Sequence, residues 1–443
     1  MKSIKTNLYF KLGTIILIGI LMLIPASMIE SLINERELIH TEAIREVSSK
    51  WGDEQTVCGP FISIPYYRYV QSGTDKNQEL NMIKVKDFIH LLPKQLNIEG
   101  EISPERRYRG IYEIVVYQAK LQISGSFDQT RFAELDIQPE DIQFDKAVFT
   151  VGLNDLRGIE NEIMLDFNAS DFSFNPGVLS NDVVGSGIHA LVGLNPTENT
   201  SLNFSFNLDI KGSQKLYFTP LGKTNHVSVT SVWSNPSFNG AFLPDSRIVS
   251  NNGFKAEWDV LHLNRNYPQQ WTGNSYAVSE SSFGVDLLLP VDNYQKSHRT
   301  TRYAILFIAF TFLVFFFIEV LKSVFIHPVQ YILVGIALIV FFTLLLSLSE
   351  YLPFNMAYIV SVIATLSLVA AYVKAILKNN RLTGLITGIL FILYSFIFVI
   401  LQLQDFALLI GSIGIFIILA LVMYFSRKID WYHLNDNVKD EIM

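Results

Sequence analysis

Few residues in this chain have the types and spacing that chemistry needs. Gly222-Lys223-Thr224 resembles the end of a phosphate-binding loop, yet Tyr217 stands where that loop needs its first glycine, and the flanks alternate like a strand. Ser186 lies in Gly185-Ser186-Gly187, which lacks the G-x-S-x-G spacing of a nucleophile elbow and reads as a turn. No S-x-x-K and no H-E-x-x-H occurs. His40, His90, His189, His226, His262 and His298 are scattered singly, as solvated or structural histidines are, so neither a metal nor another cofactor is expected. Cys58 is the only cysteine, and it can close no disulfide within the chain.

Composition explains why so little chemistry is found. Half of the 443 residues are hydrophobic, 17% are charged, and the mean hydropathy is +0.30. That balance belongs to a membrane protein rather than a disordered chain. A net charge of −7 leaves no basic surface for phosphates, so nucleic acid is not an expected partner.

Leu12 to Ile29 is apolar for about 18 residues, enough to cross most of a hydrocarbon core, and it follows Lys2, Lys5 and Lys11. A cleaved signal peptide would show an A-x-A-like site after Pro25, and none is present. We therefore read an uncleaved signal anchor. Apolar positions Ile29, Leu32, Ile33, Ile39, Ala43 and Val47 then continue at helical spacing through Glu30 to Lys50. Five further apolar runs follow late in the chain, at Tyr303–Leu321, Val329–Leu348, Phe354–Val373, Gly384–Leu401 and Phe406–Phe425. Their short connectors predict a compact bundle of antiparallel neighbours.

Loop charges predict the threading. Lys322, Lys374, Lys378, Arg381, Arg427 and Lys428 fall on one side, and Glu350 and Asp405 on the other. Both termini are then cytoplasmic and the large domain lies outside. Lys296, Arg299 and Arg302 dissent, but long translocated segments are largely exempt from the rule.

From Glu30 to Arg302 the chain carries 24 basic and 34 acidic residues, a balance suited to solubility. Leu202, Phe204, Phe206, Leu208 and Ile210 alternate with polar neighbours, as in a strand with one wet face. Leu121, Ile123 and Phe127 repeat the pattern, and Ile111–Tyr117 is rich in β-formers. The expected class is a membrane protein, α plus β: an N-terminal signal-anchor helix, a large external antiparallel β-rich domain and a C-terminal five-helix transmembrane bundle. The predicted parts are 1–29, tip and anchor; 30–50, helical extension; 51–302, external domain, as one large sandwich or two β modules; 303–425, five spans; and 426–443, cytoplasmic tail. Pro104, Gly158, Pro176 and Pro196 are candidate linkers within the external part.

The middle of each span is free of charge. Glu319 is expected near the cytoplasmic end beside Lys322, and Thr343, Ser361, Thr365 and Thr387 are read as helix-packing residues. Gly384 and Gly388 form G-x-x-x-G, read as a close helix contact, within this chain before dimerisation. His327-Pro328 reads as a helix entry.

Several stretches together resemble the inner-membrane CreD family. They include Val57-Cys58-Gly59-Pro60 with Ile64-Pro65, Arg109-Gly110-Ile111-Tyr112, and the run from Trp233 through Ser234-Asn235-Pro236-Ser237-Phe238-Asn239-Gly240-Ala241-Phe242-Leu243 to Pro244, followed by Gly253-Phe254 and Trp258. Tyr303-Ala304-Ile305-Leu306, His327-Pro328 with Gln330-Tyr331, Leu348-Ser349-Glu350 and Ile429-Asp430-Trp431-Tyr432 extend it over nearly the whole chain. The resemblance implies a role in cell-envelope integrity, linked to signalling under cell-wall and β-lactam stress, and supplies no catalytic residues.

Trp233, Pro236, Phe238, Phe242 and Pro244 make the most distinctive external segment, read as either a packed irregular connection or an exposed aromatic ledge. The leading functional expectation is a non-enzymatic inner-membrane protein in the lipid bilayer, whose external domain binds an envelope protein, lipid or glycan. The alternative is a transporter or lipid carrier with an external receptor domain.

Overall fold

The computed structural model describes residues 8–74, 80–128, 137–195, 201–289, 293–322, 324–403 and 406–427. Lys2, Lys5, Pro196, Asp405, Lys428 and the segment Ile429-Asp430-Trp431-Tyr432 lie outside the described residues. Two compact units form. One comprises residues 1–40 and 291–443, the other Thr41–Pro290.

The chain opens with α1 (Leu8–Leu21) and α2 (Leu23–Trp51). They break at Met22, beside Pro25, which lacks the N–H a continuous helix would use. The strands follow: β1 (Gln55–Thr74), β2 (Leu80–Leu91), β3 (Gln95–Arg109), β4 (Tyr112–Phe127), β5 (Val148–Leu153), β6 (Met164–Phe167), β7 (Ser170–Ser173), β8 (Asn175–Pro176) and β9 (Gly187–Leu191). After them come β10 (Leu202–Ser213), β11 (Lys215–Thr219), β12 (Thr224–Ser231), β13 (Pro236–Gly240), β14 (Ser246–Ser250), β15 (Gly253–Leu261), β16 (Gln270–Thr272) and β17 (Phe283–Leu287).

They form a nine-stranded sheet in the order β13-β17-β11-β1-β5-β9-β8, with β2 on β1 and β16 on β2, and an eight-stranded sheet in the order β14-β15-β12-β3-β4-β10-β6-β7. Pairing is antiparallel except for β1 with β11 and β3 with β12, which are parallel. The expectation of purely antiparallel sheets is corrected here, because long crossovers rather than hairpins bring these strands together.

In β10, Leu202, Phe204, Phe206 and Leu208 are buried, and the residues between them face outward. Both sheets contribute to one apolar core that includes Ile64, Phe149 and Phe218 from the first and Ile98, Phe204 and Trp258 from the second. No candidate linker among the described residues divides this unit. Pro104 lies inside β3, beyond Ile102, where pairing with β12 has ended and its missing N–H leaves no ladder bond unmade. Gly158 is buried in a short 3₁₀ turn, where a Cβ would come within 2.3 Å of the Lys211 carbonyl oxygen. Pro176 lies in β8.

In the other unit, α3 (Asn293–Arg302) precedes α4 (Ala304–Lys322), α5 (Pro328–Ser349), α6 (Phe354–Leu377), α7 (Asn380–Gln402) and α8 (Ala407–Ser426). Among the described residues, six helices are long and apolar enough to cross a membrane by length and composition. Ile15 and Ile18 of α1 and Met22 after it share one core with Phe307, Tyr331, Tyr358 and Tyr394. His327 caps α5: its Nδ1 accepts from the Val329 N–H at 3.3 Å, and its own N–H donates to Gln330 Oε1 at 3.0 Å. A Cβ added to Gly384 or Gly388 would meet nothing within 4 Å beyond their own helix. The close helix contact expected of them within this chain is absent among the described residues, because α7 packs through another face, with Ile386, Leu390 and Ile397.

Candidate functional site

The aromatic run from Trp233 to Pro244 is built into the sheet unit. Pro236 opens β13, which among the described residues is an edge strand paired with β17 alone, so its missing N–H breaks no ladder. Trp233 and Phe238 are each 8% exposed. Trp233 Nε1–H donates to the Leu288 carbonyl at 3.1 Å, and Phe238 packs edge-on against Phe254 and Trp258. Phe242 is half-buried against Phe283, and Pro244 is half-buried in the turn before β14. The rings of Trp233 and Phe238 thus fasten a sheet edge to the core.

The other motifs also lie in the scaffold. Gly222-Lys223-Thr224 forms a strand-to-strand turn in which the Gly222 N–H donates to Asn225 Oδ1 at 2.6 Å. A phosphate-binding loop would lead into a helix, and β12 follows instead. Ser186 precedes β9, and its carbonyl accepts from the Leu153 N–H. Burial pushes the Cys58 thiol up to about 12, so it is protonated and unreactive at neutral pH.

The sequence reading missed one chain of polar groups. Register places Ser63 of β1 directly opposite His90 of β2, and Ser63 Oγ lies 2.9 Å from His90 Nδ1. His90 Nε2 lies 3.1 Å from Asp182 Oδ2. His90 is fully buried, beside Trp271, Phe61 and Phe88. Burial lowers its pKa below the ordinary histidine value, although Asp182 works in the opposite direction. Neutral imidazole satisfies both neighbours when Nε2–H donates to Asp182 and Nδ1 accepts from the Ser63 hydroxyl. These are the members of a nucleophile relay. Ser63 is only 4% exposed and His90 is fully buried, so the hydroxyl and the imidazole are covered by the surrounding protein. The arrangement ties two strands to a loop. Among the described residues, no group of three or more His, Cys, Asp or Glu side chains could hold a metal.

An accessible polar surface lies on the second sheet. Register aligns Ser228, Glu99, Gln122 and Asn207 in one row across four strands, and Thr230, Glu101, Lys120 and Asp209 in the next. Together they line an open concavity of about 520 Å³. Alternation makes this inevitable, since the other faces of the same strands fill the core. The rows offer carboxylate, amide, hydroxyl and ammonium groups to a polar ligand.

The helical unit holds a second unforeseen cluster. Lys11 of α1 forms an ion pair with Glu319 of α4, both about nine-tenths buried. Tyr331 O–H donates to Glu319 Oε2 at 3.0 Å, and the Ile326 N–H donates to Oε1 at 3.0 Å. Lys11 Nζ also lies 4.3 Å from the centre of the Phe325 ring. Glu319 therefore joins α1, α4 and α5.

A β-rich unit joined to apolar helices of spanning length defines a membrane protein with a large polar domain. A model of the family described as "Inner membrane protein CreD" matches residues 7–432, and the chain belongs to that family. The Inner membrane protein CreD of Escherichia coli (strain K12) is 32% identical over 433 residues, covering 97% of this chain and 95% of that protein. Among solved structures, an M1 zinc metallopeptidase from Deinococcus radiodurans is 10% identical with a TM-score of 0.18, over 38% of each chain. At that score it carries no argument.

Proposed function

We propose that this chain is a non-enzymatic inner-membrane protein that supports cell-envelope integrity and the envelope or β-lactam stress response, through an external domain that binds an envelope component. The observation that carries this reading is the contrast within the sheet unit. Ser63 and His90 of the hydroxyl, imidazole and carboxylate chain are buried, whereas the Glu99–Gln122 and Glu101–Lys120 rows lie in an open concavity. Binding needs an accessible surface, and catalysis needs an accessible reacting group. The partner class that fits these rows is a polar envelope molecule, protein or glycan, met by hydrogen bonds.

Loop charge supports six spans with both termini cytoplasmic and the β-rich unit periplasmic. Lys374, Lys378 and Arg381 are exposed at the link between α6 and α7. A reporter active only in the cytoplasm, fused after Met443, tests this threading, and an inactive but stably inserted fusion would refute it. The binding reading is tested by crosslinking intact membranes, purifying the chain and identifying its partners by mass spectrometry. A reproducible envelope partner lost on replacing Glu99, Glu101 and Asp209 with alanine is the expected result. The same partner retained at full yield would overturn the proposed face.

A further inference from the structure

Along the outside of the helical unit, α1, α4 and α8 border a lateral groove of about 430 Å³. Its lining includes Ile15, Gly19, Ile308, Ala309, Phe312 and Val422. Gly19 and Ala309 leave room where larger side chains would close it, and a Cβ on Gly19 would meet only Phe312, at 4.0 Å.

The dimensions select an occupant. On α4 the lining runs from Ile305 to Phe317, a rise of about 18 Å at 1.5 Å per residue. Along that length the lining is apolar except for Ser426, which suits a hydrocarbon chain. One hydrocarbon chain fits.

Charge distinguishes one end. Lys322 closes α4, and Arg427 directly follows Ser426, a lining residue of α8. Both cations are exposed, and neither has a carboxylate within ion-pair distance among the described residues. Glu319, the nearby acid on α4, is already neutralised by Lys11.

We propose that the groove holds one phospholipid, with an acyl chain along Gly19 and Ala309 and an anionic headgroup against Lys322 and Arg427. Moving a chain from bilayer to groove gains nothing from the hydrophobic effect, because lipid tails are equally apolar. Retention must come from packing in the groove, and selectivity from the two cations. This site goes beyond the envelope-binding role and stands independently of it.

The test uses the full chain in nanodiscs of phosphatidylcholine with a minor fraction of phosphatidylglycerol, released into detergent for native mass spectrometry. Wild type should retain about one lipid per chain, enriched several-fold in phosphatidylglycerol over the nanodisc composition. Gly19→Phe, if its thermal unfolding matches wild type, should lose that lipid. The Lys322→Gln/Arg427→Gln double variant leaves the groove intact, so it should keep a lipid with no headgroup preference. A folded Gly19→Phe that retains the lipid would overturn the proposal, as would a charge variant that keeps the wild-type enrichment. Should Gly19→Phe fail to fold, the charge variant alone decides.

Discussion

The sheet unit and the helical unit place their apolar residues in opposite ways. In β10, Phe204 and Phe206 point inward while Asn203, Ser205 and Asn207 face out. In the helices, Met356, Ile363, Leu385 and Ile392 face out, while Ser361, Thr365 and Tyr394 are buried. One chain is thus matched to two solvents, water around the sheets and hydrocarbon around the bundle. The difference extends to buried polar groups. The sheet unit holds a hydrogen-bonded chain around a neutral histidine, and the helical unit holds a full ion pair. A neutral group needs partners for its hydrogen bonds, whereas a charge in a low-dielectric interior needs a countercharge as well.

The largest expected effect follows from breaking that ion pair. Glu319→Ala leaves Lys11 buried and uncompensated, and should destabilise the helical unit by about 3–5 kcal/mol. A Lys11→Met/Glu319→Met double variant should recover most of this loss, read by thermal unfolding of the full chain in detergent. Equal losses in the single and double variants would show that the pair does not couple.

A smaller effect is expected at the neutral chain. His90→Ala strands Ser63 and the buried side of Asp182, at about 1–3 kcal/mol for each buried group left unpaired. The same residue makes stability depend on pH. Its folded pKa is depressed by burial, so the unfolded chain takes up a proton near the ordinary histidine value of about 6.5 while the folded chain does not. The contribution is fully present above that pH and is lost as pH falls below it, until the folded imidazole itself protonates. Asp182 and Asp87 are the charged groups that oppose this depression. In a melting series from pH 7.5 to 5, His90→Gln should show a shallower acid loss than wild type, and parallel curves would contradict the assignment.

The helices and β10 were legible because their information is local. Apolar runs of spanning length and a two-residue alternation can be read without knowing any partner. The Ser63–His90–Asp182 chain was not, because its members are 27 and 92 positions apart and meet only once strand register and a loop are fixed. Lys11 and Glu319 lie on helices separated in sequence by the whole sheet unit, so Glu319 looked like a neighbour of Lys322 rather than the partner of α1. Composition showed that Trp233 and Phe238 were distinctive, but it gave no means of deciding which way an edge strand faces.

The smallest effect on stability is expected on the open rows of the second sheet. Glu99→Ala and Glu101→Ala touch no core residue, and each should shift stability by no more than about 0.5 kcal/mol. That near-neutrality makes the face suitable for separating binding from folding.

The most direct measurement compares function at matched protein levels in a deletion strain carrying either Ser63→Ala or the Glu99→Ala/Glu101→Ala/Asp209→Ala variant, scored by survival in detergent and β-lactam. Binding through the open face predicts that Ser63→Ala protects as well as wild type, while the triple variant is stably inserted and fails to protect. A Ser63→Ala protein that is stable, correctly inserted and as inactive as the deletion would contradict the account and make the sealed relay a catalytic centre.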